Sequence, residues 1–273
     1  MKSLSVLSAF RSLTEQLRHE PVTPTRLGPY HEIVNLNLTI HDPRNRVAIF
    51  PDDWEGFEKY MAAQWVWYSM GLQDTWLKTF HPTAWDHVPH GSTDINSNYG
   101  QYVWREGQFN YCLNLLKQDP SSRRAVITLN RKEVALSSTQ DHICTTSLQF
   151  LVRNGKLHLI TTMRSNELNF GFRTDTVFFT LLQEIMATEL GYPMGEYHHN
   201  VGSFHVAKDC FVCTEISLIS RWPRYERGEL EGLTTISYSG TNRLGPALKG
   251  QFSLTQHFNK LLTFYESSTD PRT

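Results

Sequence analysis

"SLQFLVRNGKLHLITTM", residues 147–163, consists of two runs that alternate apolar and polar residues about Asn154-Gly155. A two-residue turn with positive φ at both central positions is what Asn-Gly supplies, so the stretch reads as a tight β-hairpin with one face turned to a core. Downstream lies "RSNELNFGFRTD" (164–175), then "TVFFTLLQEIMATEL" (176–190). The latter has the apolar spacing of a buried helix, with Gly191 placed as its C-terminal cap. On residue type alone, Asp175 reads as the N-cap of that helix. Upstream, "DHICTTSLQF" (141–150) puts Cys144 immediately before the first strand, and "DPSSRR" (119–124) turns into a further strand.

The remaining pattern is weaker. Leu4, Leu7, Phe10, Leu13 and Leu17 predict a helix over 1–19, and "HEIVNLNLTI" (31–40) alternates as a half-buried strand does. Helices are expected over 54–70 and 108–117, with irregular chain over 73–100. Beyond Cys213, "LEGLTTISYSG" suggests a strand and "LTQHFNKLLTFYE" a closing helix. Without repeats or a linker, a single α/β domain over 1–273 is the economical expectation.

Composition bounds the function. Hydrophobic residues at 40% and charged residues at 19% describe an ordinary globular chain. A formal charge of −1 lacks the basic excess that bulk nucleic-acid binding requires. No apolar run is long enough to span a membrane and no secretory leader is evident, so neither a membrane nor a nucleic-acid partner is expected. Four cysteines in 273 residues make no disulfide framework and suit a reducing cytoplasm. "CFVC" (210–213) lacks a second ligand pair, and "YHHNVGSFH" (197–205) lacks the helical metal-binding spacing, so no metal is expected; polar surface or sugar contacts suit those histidines better. Arg123 and Arg124 either point into solvent or form an anion site, for which guanidinium forks suit phosphate oxygens.

The order of these features carries more than any one of them. "TAWD" (83–86), "NYGQYVW" (98–104), "DPSSRR" (119–124), "CTTSLQF" (144–150), "GKLHLITTMRS" (155–165) and "GSFH" (202–205) fall in the order and spacing of the thymidylate synthase family, which includes the pyrimidine-nucleotide hydroxymethylases. The chain resembles that family most specifically between Gly71 and Asp209. The resemblance implies a mixed sheet packed with helices, and a homodimer joined sheet to sheet. It implies a pyrimidine nucleoside monophosphate as substrate and 5,10-methylenetetrahydrofolate as cofactor. Cys144 takes the place of the thiolate that adds to C6 of the ring, which makes C5 nucleophilic. Arg164 and Ser165 match the phosphate ligands of the same subunit, with Arg26 as the N-terminal arginine. Arg123 and Arg124 match a pair donated by the other subunit. Tyr99 falls in the network around the nucleophile, His205 at the sugar hydroxyl, and Trp85, Asp86, Glu167 and Gly171 around the folate.

At the base-reading position, uracil-specific members carry asparagine and cytidylate hydroxymethylases carry aspartate. Asp175 therefore points to CMP or dCMP, converted to the 5-hydroxymethyl product by water. Thymidylate synthase, a uridylate hydroxymethylase, and a nucleotide-binding relative without folate turnover are the alternatives. Several positions depart from the family: Gln64 stands for the proton-relaying glutamate, Ala207 for the sugar-binding tyrosine, Thr145 for a histidine, Arg173-Thr174 for Pro-Phe, and Glu167 for aspartate. The closing C-terminal segment is not recognisable in "STDPRT".

Overall fold

The computed structural model describes residues 1–26, 28–48, 54–71, 75–81, 95–136, 141–208 and 210. The two elements expected beyond Cys213 lie outside the described residues. The described chain forms β1 (Lys2–Ser3), α1 (Val6–His19), β2 (Val22–Thr25), β3 (Gly28–Ile40), α2 (Trp54–Met70), α3 (Gln108–Gln118), β4 (Val126–Thr128), α4 (Lys132–Ala135), β5 (Thr145–Arg153), β6 (Lys156–Glu167), α5 (Arg173–Leu190) and β7 (Met194–Ala207). Among the described residues the strands join one mixed sheet in the order β1-β3-β7-β6-β5-β4, with β2 paired to β3.

The hairpin forms as its turn chemistry demands. Asn154 and Gly155 have φ of 51° and 70°, and Arg153 pairs with Lys156 across the turn. The β5–β6 register shifts between Thr145 and Ser147, one residue after Cys144. Such a bulge bends the strand and re-aims the side chains beside it.

Strands β6 and β7 run parallel, so the chain must cross over between them, and α5 is that crossover. This helix is buried along most of its length. Gln183, fully buried in it, donates to the carbonyls of Leu157 (3.0 Å) and Gly195 (3.2 Å), tying the helix to the starts of both strands. Gly191 ends it in the left-handed region at φ 75°.

Three sequence expectations are corrected. The first helix begins at Val6, under a capping box between Ser5 and Ser8, because Lys2 and Ser3 pair in parallel with Thr39 and Ile40. The helix expected from Thr176 begins at Arg173, after a π-type turn over Leu168–Phe172. The polar "YHHNVGSFH" is not a surface segment but the middle of β7, between β6 and β3.

Arg46 anchors the loop after β3 to α5. Its guanidinium is fully buried and lies 2.6 Å from the carboxylate of Glu184. Burial pulls its pKa down and Glu184 pulls it back up. Removing one member of such a pair strands the other charge, at a cost of about 3–5 kcal/mol, whereas an apolar pair of similar volume restores most of it. Glu184→Ala is thus expected to lose about that much in urea denaturation, with Arg46→Met/Glu184→Leu recovering the larger part.

Candidate active site

Cys144 ends the loop that enters β5, and Arg164 of β6 fixes that loop from three directions. The Arg164 backbone N–H donates to the Cys144 carbonyl at 2.8 Å. Its Nε donates to the carbonyl of Ile143 (2.9 Å) and its Nη2 to that of His142 (3.1 Å). These bonds set a permanent cation near the sulfur. Burial nevertheless raises the thiol pKa above its ordinary value of 9.0; Arg164 opposes the rise, while Asp175 and Asp141 add to it. Burial thus outweighs the arginine, and the cysteine rests as a thiol in the free protein.

Tyr99 is buried beside this sulfur, with its hydroxyl near Thr145. Its ring stacks on Tyr68 at 5.2 Å between centroids and 12° between planes. Burial pushes both phenols well above 10, so both remain neutral donors. Gln64 is buried on α2 and donates from Nε2 to the Tyr68 hydroxyl at 3.4 Å. An amide neither gives nor takes a proton at neutral pH, so in this place Gln64 orients Tyr68 rather than relaying protons.

Asp175 does not cap its helix. The N-cap position is Phe172, without a side-chain cap bond, and Asp175 lies in the first turn, buried. Its Oδ2 instead accepts from Asn166 Nδ2 at 2.9 Å. Asn166 Oδ1 faces His199 Nε2 at 3.1 Å, and His199 Nδ1 faces the Tyr197 hydroxyl at 2.8 Å. Because the amide oxygen can only accept, His199 Nε2 carries the hydrogen and Nδ1 accepts from Tyr197. Full burial drives the His199 pKa down to about 3, so the ring stays neutral. Three hydrogen bonds thus run in one direction, from Tyr197 to the carboxyl of Asp175. Burial raises that carboxyl to about 7, and the Asn166 bond holds it from rising further. Gly171 is needed here: a Cβ would come within 2.9 Å of Asn166 Nδ2.

A cavity of about 220 Å³ is lined by Thr25, Arg26, Tyr30, Glu32, Ser165, Ser203 and His205. The pairing of β6, β7 and β3 assembles it, since Ser165 lies opposite Ser203, and His205 opposite Glu32. Ala207, at the end of β7, pairs with Tyr30 and presents only a methyl group. Arg26 sits in the turn between β2 and β3 and lines this cavity together with Ser165 and His205.

Other expected residues fall elsewhere. Arg123 and Arg124 are exposed in the chain preceding β4; neither lines the cavity nor figures among the charges acting on Cys144. Glu167 caps the π-type turn, accepting from the amides of Asn169 (2.9 Å) and Phe170 (2.7 Å), and burial raises its pKa. Thr145 is buried at the start of β5, next to Tyr99. Arg173 and Thr174 are buried too: the Arg173 guanidinium lies 3.9 Å from the Phe57 ring centroid and its Nε donates to the Ala48 carbonyl. Trp85, Asp86 and Cys213 lie outside the described residues. Cys210 is exposed.

Sequence reasoning did not single out Asn166, Tyr197, His199, Glu32, Tyr30 or Tyr68. The alternation Tyr197, His199, Val201 along β7 was the available signal, masked because two of its core-facing residues are polar. His198 faces the other way, where it, His158 and Glu196 come within 4.8 Å of one another. That grouping is invisible in the histidine spacing.

Comparison with known proteins gives the chain's family. Residues 56–231, more than half of the chain, match the family model described as thymidylate synthase. The chain is 31% identical over 182 residues to the deoxycytidylate 5-hydroxymethyltransferase of Enterobacteria phage T4, covering 60% of this chain and 71% of that protein. It is 30% identical over 151 residues to thymidylate synthase 1 of Bacillus spizizenii, covering 52% of this chain and 54% of that one. A cysteine held by an arginine of the adjoining strand, a buried carboxyl beside it, and a match of this length together place the chain: it belongs to the thymidylate synthase family of one-carbon transferases.

Proposed function

We propose that the protein is a cytidylate 5-hydroxymethylase, transferring a one-carbon unit to C5 of CMP or dCMP through a Cys144–C6 adduct. The buried carboxyl of Asp175 beside Cys144 carries this reading. Cytosine offers an amino donor at C4 and an acceptor at N3. A carboxylic acid answers both with one oxygen accepting and one donating, and a group with a pKa of about 7 holds that proton at working pH. Once the Cys144 thiol has released its proton to solvent, the sulfur adds to C6. Electron density then moves toward N3, and the proton shared with Asp175 moves with it, leaving Asp175 ionised. The Asn166–His199–Tyr197 chain fixes Oδ2, so the reading geometry is set before the base arrives.

The phosphate is assigned to Arg164, Ser165 and Arg26. Binding 5,10-methylenetetrahydrofolate is assigned to Glu167, Gly171, Trp85 and Asp86. Glu167 fits that role, since the backbone amides of Asn169, Phe170 and Gly171 occupy only part of an ionised carboxylate's acceptor capacity. When bound, the folate supplies the one-carbon unit that water completes to a hydroxymethyl group. Incubation with methylenetetrahydrofolate and CMP, dCMP or dUMP, followed by mass analysis of the nucleotide, tests the assignment. Hydroxymethylated cytidylate is the expected product, and a product from dUMP alone overturns it.

Arg123 and Arg124, exposed and not among the charges acting on Cys144 in their own chain, support a second part of the proposal: a homodimer in which they complete the partner's phosphate site. Mixing inactive Cys144→Ser protein with inactive Arg123→Glu/Arg124→Glu protein is then expected to restore about a quarter of native activity, because a fraction of mixed dimers carries one intact site. Activity that stays at the level of the parents contradicts shared sites.

A further inference from the structure

Glu32 is a carboxylate where an anion-binding cavity would be expected to avoid one. It stands on β3 directly opposite His205 of β7, in the same cavity as Ser165 and Arg26. A phosphate gains nothing from it, since like charges repel and a carboxylate has no proton to give. What it can take is a hydroxyl.

Its bonding state defines which hydroxyls. One oxygen, Oε1, accepts a hydrogen bond from Ser203 Oγ, which leaves Oε2 as the second acceptor. His205 Nδ1 lies 3.3 Å from the Ser203 carbonyl oxygen. A carbonyl can only accept, so Nδ1 carries the ring hydrogen and Nε2 is a bare acceptor. Tyr30 meets that ring edge to face, centroids 5.1 Å apart, and fixes its tilt. Burial keeps the imidazole neutral, and Glu32 is close enough to act on its charge. Two acceptors therefore stand on neighbouring strands of one cavity. The ligand that matches two acceptors is one with two hydroxyl donors on adjacent carbons.

We propose that Glu32 and His205 form a diol subsite that selects ribonucleotides over 2′-deoxyribonucleotides. This rests on the nucleotide reading above and names its sugar. Ribose donates its 3′-hydroxyl to His205 Nε2 and its 2′-hydroxyl to Glu32 Oε2. A deoxyribose leaves one acceptor desolvated and unpaired, and Ala207, with only a methyl group, adds no bulk to exclude the extra oxygen. The chain thereby separates from the phage relative named for deoxycytidylate.

Titration calorimetry of the full-length protein with CMP, dCMP, UMP and dUMP tests the sugar choice independently of turnover. The native protein is expected to bind CMP at least about tenfold more tightly than dCMP. In Glu32→Ala the preference falls to within about twofold, through weakened CMP binding with dCMP affinity retained. Retained dCMP affinity also shows that the variant is folded; should it not fold, Glu32→Gln, which keeps shape and loses charge, is expected to cut the preference at least about threefold. Equal affinities for both sugars in the native protein, a preference for dCMP, or a parallel loss for both nucleotides in the variants overturns the diol subsite. Sugar-selective binding without any C5 chemistry would keep the subsite and discard the hydroxymethylase. Absence of binding by all four nucleotides discards both.

Discussion

Cys144→Ser is expected to lower the rate of product formation by at least about 10⁴-fold while leaving CMP affinity within a few-fold of native. The size follows from the chemistry: C5 of an intact pyrimidine is a poor nucleophile, and only addition at C6 converts it to an enamine-like carbon. A serine hydroxyl in the same place has no neighbouring base strong enough to ionise it. The buried phenols Tyr99 and Tyr68 are held protonated, and Asp175 titrates far below a hydroxyl. Binding survives because Arg164 holds the loop through backbone carbonyls rather than through the sulfur. Single-turnover product formation and calorimetry, run on the same preparation, check the two halves. A variant with residual activity within about tenfold of native would remove the covalent step.

Asp175→Asn is expected to lower kcat/KM for cytidylate by about 10- to 100-fold and to raise uridylate use. Asparagine presents an amide that donates where cytosine's amino group also donates, so one buried donor is left facing another. Uracil, with a carbonyl at C4 and a hydrogen on N3, fits the same amide. The pH dependence supplies the sign. The folded carboxyl titrates near 7, and neutral cytosine needs its protonated form. CMP affinity of Cys144→Ser, divided by that of Cys144→Ser/Asp175→Asn, is therefore level below pH 7 and falls as pH rises through about 7. The ratio removes the phosphate's own titration. Asn166→Leu takes away the bond that lowers this pKa, so the fall moves to higher pH.

The same group affects stability. Its folded pKa lies above the unfolded value of 3.8, so the native state binds the extra proton between those limits and loses stability as pH rises from about 4 to about 7. The stability of Asp175→Asn relative to native is expected to grow across that window in urea denaturation.

The parts of this fold legible in the sequence were those whose causes are local. Asn154-Gly155 determines its own turn, and the flanking alternation determines which faces are buried, so the hairpin could be read without knowing its neighbours. Strand β7 could not be. His199 and Tyr197 face the core as polar residues satisfied by each other and by Asn166, so hydrophobic alternation there points nowhere. The start of α5 was missed because Glu167 holds a π-type turn in front of it with a side-chain bond to the amides of Asn169 and Phe170. Lys2 and Ser3 are a strand only because β3 lies alongside them.

The site divides in the same way. Cys144, Arg164, Ser165 and Asp175 could be named as candidates from their order along a stretch of about thirty residues, and the structure sets Arg164 and Asp175 near Cys144. Asn166, immediately after Ser165, was passed over because its importance lies in Asp175 and His199, which the fold brings to either side of its amide. Glu32 meets Ser203 across 171 positions of sequence, a pairing that only strand register creates. Asp175 shows the reverse: its position before an apolar helix suggested a cap, and its actual partner is a side chain of β6.

CMP tritiated at C5 offers the most direct view of the chemistry, since the label leaves only after sulfur has joined C6 and the ring carbon has given up its hydrogen. With native protein and methylenetetrahydrofolate, tritium is expected to appear in water in step with hydroxymethylated nucleotide, and Cys144→Ser is expected to release none. Label retained under every folate condition, or released equally by the serine variant, would contradict the assignment of this sulfur to the cytosine ring.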